Sequence, residues 1–147
     1  MIRLKQIRLL ALLAALTLAS SMSTAQAEVV VVVSAKNPLV SLTPNQLADI
    51  FLGKTDELPN GAAVSPVDQG DNSKEKEEFY RRYMNRSTAQ IRSYWAKQIF
   101  TGKGEPPKEI ENLEQLKKHI AGNPATIGYL DREKVDGNLK IVIVEKP

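Results

Sequence analysis

Val67-Asp68-Gln69-Gly70-Asp71-Asn72-Ser73 joins an apolar stretch to an amphipathic run, and its residue types suit holding a small anion. A glycine that lets backbone N–H groups converge, amide side chains and a serine hydroxyl, delivered at a helix N-terminus, make an anion cradle. The same residues also suit plain capping, with Asn72 or Ser73 as the cap and Glu75 reaching back. Candidate ligand contacts are therefore Gln69, the backbone amides after Gly70, Asp71, Asn72 and Ser73. Ser34, at the end of a valine run, is a further candidate from a second loop.

Other groups capable of chemistry read differently in context. Ala48, Gly53, Lys54 and Thr55 have the loosest spacing of a nucleotide loop, but such a loop follows a strand and opens a helix, whereas Gly53 closes one. His119 stands after Lys117 and Lys118 as the only histidine of a chain without cysteine, which fits a helix end better than a metal site. Tyr94 and Trp95 could stack a ring, yet they belong to a helical stripe suited to core packing. Glu75, Glu77 and Glu78 crowd a helix start, where carboxylates favour the dipole. No nucleophile has a visible base partner, so the expectation is a non-enzymatic protein with no catalytic residue, metal or cofactor.

The elements that must position the loop can be read along the chain. Val29–Val33 is β-branched and unalternating, as in a strand buried on both faces. Thr43, Pro44 and Gln46 form a capping box, with Leu42 and Leu47 placed as a hydrophobic staple and Gly53 past the helix end. A Pro59-Asn60-Gly61 turn leads to a strand over 62–67. After the loop a helix runs to about Met84, with Phe79, Tyr80, Tyr83 and Met84 facing inward. Ser87 and Gln90 open another helix, whose inner residues are Ile91, Tyr94, Trp95 and Ile99. Asn112 opens a last helix bearing Leu113, Leu116 and Ile120, and strands over 126–130 and 139–144 flank an Asp136-Gly137-Asn138 turn. This order predicts an α/β sheet flanked by helices, with ligands near the carboxyl ends of its strands.

The chain begins with Arg3, Lys5 and Arg8, continues with an apolar run over Leu9–Ala19, and reaches Ala25-Gln26-Ala27. A charged start, apolar centre and small-residue cleavage site make a secretory signal over 1–27, leaving 28–147 as one domain. Of the 147 residues, 120 then remain, and because three cations leave with the signal, 17 Lys and Arg face 17 Asp and Glu. The basicity of the whole chain is thus no argument for nucleic acid. The absence of cysteine leaves burial to hold the exported fold, and no membrane span is expected once the signal is removed.

Four segments carry a family resemblance: Ser34-Ala35-Lys36-Asn37-Pro38; Leu42-Thr43 through Ile50-Phe51-Leu52-Gly53-Lys54; Trp95 with Phe100-Thr101-Gly102-Lys103-Gly104; and Asn123-Pro124-Ala125-Thr126-Ile127-Gly128-Tyr129. Together they make the chain resemble the phosphate-binding proteins of bacterial phosphate ABC transporters, as a short, one-lobed branch of the periplasmic binding-protein superfamily. The resemblance implies one lobe of a type II periplasmic binding-protein fold with a mixed, mostly parallel sheet. It implies phosphate or another small anion as ligand, and an ABC transporter or other periplasmic protein as partner. In full-length relatives the matching loop reads Arg-Ser-Asp-Gly-Ser-Gly-Thr. This chain keeps Asp71 and Ser73 but has Gln69 at the arginine, Lys74 at the second glycine and Glu75 at the threonine. Losing a charge-assisted fork and gaining a carboxylate implies weak or degenerate anion binding, with an interaction module as the alternative.

Export is directly testable. Mass spectrometry of protein from the periplasmic fraction should find Glu28 as the first residue. An intact Met1–Ala27 on a membrane-bound chain would overturn the expectation.

Overall fold

A computed structural model describes residues 27–146. Apart from Ala27, the signal expected over 1–27 lies outside the described residues. The valine run forms β1 (Val29–Ser34), and all six of its residues are buried. It lies inside a six-stranded sheet whose other members are β2 (Ser41–Leu42), β3 (Ser65–Asp68), β4 (Lys108–Glu109), β5 (Thr126–Asp131) and β6 (Leu139–Val144), in the order β2-β6-β1-β5-β3-β4. β1 runs antiparallel to both β5 and β6, whereas the remaining pairs are parallel. Five strands therefore share one direction and β1 alone opposes them, which makes the sheet mixed and mostly parallel.

The unbroken valines follow from helices covering both faces. Val29, Val31 and Val33 point into a core with Phe51, Phe79, Trp95, Ile127 and Tyr129. Val30 and Val32 point the other way, against Leu116, Ile120, Leu130 and Val67. The first face is covered by α1 (Pro44–Phe51), α2 (Lys74–Met84) and α3 (Thr88–Phe100), and the second by α4 (Leu113–Gly122). On the second face α4 comes very close to the sheet: a Cβ added to Gly128 would lie 2.7 Å from Ile120 Cδ1 and 3.1 Å from Val67 Cγ2.

Helix starts follow the local sequence. The Thr43 N–H donates to Gln46 Oε1 at 2.9 Å and the Gln46 N–H donates back to Thr43 Oγ1 at 3.2 Å, while Leu42 and Leu47 are both buried. The chain leaves α1 through Gly53, whose φ of +68° suits a residue without Cβ, and a Cβ there would also stand 2.9 Å from the Trp95 ring. Gly53 ends a helix, so Lys54 and Thr55 belong to no phosphate loop. Ser87 with Gln90 and Asn112 with the Gln115 N–H cap α3 and α4.

Two expectations are corrected, and two short strands are added. The strand expected over 62–67 begins at Ser65, while Ala63 instead bridges Glu57. β2 and β4, of two residues each, are too short to show a period in sequence. Ile99 does not face inward: it is 56% exposed, because Trp95 occupies the core one turn earlier and the last turn of α3 projects past it.

Trp95 is 6% exposed and packs over the backbone at Gly53. Trp95→Ala should therefore cost about 3 to 5 kcal/mol in urea unfolding, as for other buried large-to-small changes. A loss under roughly 1 kcal/mol would contradict this packing.

Candidate functional site

β3 ends at Asp68, a carboxylate only 3% exposed. It is satisfied from several elements at once, as a buried charge must be. Oδ1 accepts from the Gln69 N–H at 2.9 Å and from the Tyr129 hydroxyl of β5, while Oδ2 accepts from the Tyr80 hydroxyl of α2 at 2.7 Å. Lys76, on the first turn of α2 and equally buried, brings its Nζ within 3.6 Å of Oδ2. The same ammonium donates to Asp71 at 2.8 Å and to Glu109 of β4 at 3.1 Å.

Electrostatics follow from that packing. Burial alone would depress Lys76, but its bonds and charges to Asp71, Asp68 and Glu109 outweigh it and hold the amine above its ordinary range. Burial first, and the Asp68 charge second, push the Tyr80 and Tyr129 hydroxyls far above the ordinary tyrosine value. The hydrogen bond from Lys76 holds Asp71 below the usual carboxylate range, and the bond from Lys134 does the same for Glu75.

The loop beyond Asp68 is closed on itself. The Ser73 N–H donates to the Gly70 carbonyl at 2.9 Å, forming the turn. Ser73 Oγ accepts from the Lys76 N–H at 3.2 Å as the cap of α2, and its own proton faces Gln69 Oε1 at 2.6 Å and Glu75 Oε2 at 3.2 Å. Gln69 is tied at its other end, where Nε2 donates to the Tyr129 carbonyl at 2.9 Å. Glu75 is tied as well, with Lys134 Nζ 2.5 Å from Oε1. Beside the loop lies a cleft of about 360 Å³ that Glu75, Glu111 and Lys134 share with Gln69, Gly70 and Ser73. Glu111 covers the glycine so closely that a Cβ there would meet its Cγ at 3.0 Å.

Gln69, Gly70, Asp71, Asn72 and Ser73 thus stand together, with Asn72 exposed at the rim. Ser34 is not with them. Its hydroxyl donates to the Ala121 carbonyl at 3.0 Å, and it lies beyond Val33, which pairs with Ile127, itself paired with Pro66. That is the Ser65 end of β3, whereas the loop follows the Asp68 end. The reason is the reversed direction of β1, which carries its carboxyl end away from those of the other strands. Lys76, Lys134, Glu109 and Glu111 were not among the sequence candidates. One cue existed: Lys76 and Tyr80 are four residues apart beside Phe79, on the buried side of α2. His119 sits in the last turn of α4, and among the described residues no group of His, Asp or Glu could hold a metal ion. No described helix is long and apolar enough to cross a membrane.

No family model and no curated protein matches the sequence. Solved structures do share its fold. An ABC-type phosphate transport receptor from Vibrio cholerae is 18% identical with a TM-score of 0.63, over 81% of this chain and 46% of that one. PstS from Borrelia burgdorferi is 12% identical with a TM-score of 0.58, over 79% of this chain and 46% of its own. A phosphate-bound structure from Clostridium perfringens, of the phosphate ABC transporter substrate-binding type, is 20% identical with a TM-score of 0.60, over 79% and 44%. This chain therefore spans less than half the length of the proteins whose fold it shares.

The Asp68 network predicts an alkaline limit to stability. Tyr80, Tyr129 and Lys76 all have folded values raised above their unfolded ones, so their contribution is intact below about pH 10 and is lost as pH rises further. Each such group steepens the loss by about 1.4 kcal/mol per pH unit. Urea unfolding between pH 9 and 11, with tyrosinate absorbance, should show Tyr80 and Tyr129 ionising only as the fold opens. Tyr129→Phe should reduce the slope by about one proton.

Proposed function

We propose that this chain is an exported, single-lobed relative of the periplasmic phosphate receptors, non-enzymatic, whose loop over 69–73 binds phosphate or another small anion weakly. What supports the fold half of this reading is the likeness to one part of those receptors. What supports the weakness is one observation: the donors an anion would use are already engaged. The Ser73 hydroxyl is held between Gln69 and Glu75, and Lys134 is held by Glu75, so a carboxylate of the chain itself stands where an incoming anion would seek them. Asp71 and Glu111 add further negative charge beside the loop. Gln69 offers an amide where an arginine would give a bidentate, charge-assisted fork.

In this reading the partner is an ABC transporter or another periplasmic protein. The same closed loop supports a second reading, a protein-interaction module that kept the lobe and lost the ligand.

Calorimetry with phosphate separates them. The unmodified chain should bind with a dissociation constant nearer ~1 mM than ~1 μM, about 4 rather than 8 kcal/mol. Gln69→Arg with Glu75→Thr should tighten binding, since it adds a fork and removes a repelling charge. Ser73→Ala should weaken it and cost about 1 kcal/mol of helix capping, so affinity is compared on folded protein. Micromolar binding by the unmodified chain would sink the weak-site reading, and no response even from the double substitution would favour the interaction module.

A further inference from the structure

The last turn of α3 presents an apolar knob in a basic setting. Phe100 is 92% exposed and Ile99 56%, side by side at the helix end. The turn beneath them is fixed: the Gly102 N–H donates to the Ile99 carbonyl at 3.1 Å, the Lys103 N–H to the Gln98 carbonyl at 2.9 Å, and the Thr101 hydroxyl to the Lys97 carbonyl at 2.8 Å. Lys97 lies three residues before Phe100 and Lys103 three after it, and over 97–105 these two lysines accompany one carboxylate, Glu105. Among the described residues neither lysine is ion-paired.

We propose that this Ile99–Phe100 tip seats reversibly on an anionic bilayer surface, the two apolar side chains entering the interface while the lysines meet lipid phosphates. Charge complementarity is local, since the chain from Glu28 carries equal numbers of Lys plus Arg and Asp plus Glu. Area argues for lipid over protein. Two protruding side chains flanked by glycine and threonine offer far less than the roughly 800 Å² per partner of a stable protein interface, and a bilayer needs no matching pocket. Each lysine near an anionic surface is worth about 1 kcal/mol, or about fivefold in binding.

The test is co-sedimentation of the chain from Glu28, which holds all the strands and helices described, with phosphatidylglycerol-containing vesicles and with phosphatidylcholine vesicles. Binding is expected to the anionic vesicles only and to fall with salt. Phe100→Ser should lower it severalfold, and Lys97→Glu or Lys103→Glu at least about fivefold each. Ile143→Ser, at a separate exposed apolar residue, should leave it unchanged. Trp95, the single tryptophan, lies near the turn at Gly104 and reports through its emission that each variant keeps its fold. Equal binding to both vesicle types, no binding at low salt, or Phe100→Ser binding like the unmodified chain would overturn the proposal. In the second of these cases the tip falls to a protein partner.

Discussion

A carboxylate buried at the end of a strand has to be answered from every side, and much of the polar architecture at this end of the molecule is the answer to Asp68. Tyr80 and Tyr129 donate to it, Lys76 stands beside it, and Lys76 in turn binds Asp71 and Glu109. Because these partners come from α2, β5, the loop and β4, one charge ties the consecutive loop and α2 to two strands further along the chain. A half-satisfied set of this kind would be worse than an apolar replacement, so the members hold or fail as a group. The aromatic layer stays in place for the same reason. Tyr129 stacks on Phe79 at 4.0 Å between centroids and 6° between planes, and its hydroxyl reaches out of that stack to Asp68.

The network also underlies the proposal that the loop binds anions weakly. Its buried lysine, Lys76, stands against three carboxylates, and Ser73 completes a cap and a contact to Gln69. The residues that make the loop rigid are the ones that would have to be released for it to bind. On that proposal, rigidity and affinity compete for the same hydrogen-bonding groups.

Features decided by neighbours in sequence were legible in advance. The capping boxes at Thr43 with Gln46 and at Ser87 with Gln90, the Asn112 cap, the exit at Gly53 and the doubly buried valines each depend on residues a few positions apart. Features decided by partners far along the chain were not. β2 and β4 exist because β6 and β3 lie beside them. The position of Ser34 depends on the direction of β1, which no local pattern encodes. The gathering of Asp68, Lys76, Glu109 and Tyr129 joins residues up to 61 positions apart, although Lys76 and Tyr80 on one side of α2 gave a partial sign.

Gly128 has an effect beyond the strand it sits in. By leaving nothing between β5 and Ile120, it acts as a shim of zero thickness that sets how deeply α4 beds onto the sheet. Leu113 and Leu116, on the opening turns of that helix, line the cleft together with Glu111 just before it. The helix that carries this wall of the cleft is thus also met from the buried side, at a position away from solvent. A methyl added there would press on the tip of Ile120 at 2.7 Å and on Val67 at 3.1 Å while every residue of the loop stayed the same. One wall of this opening therefore rests on a layer whose packing is shared with an interior glycine, so surface residues alone do not define it.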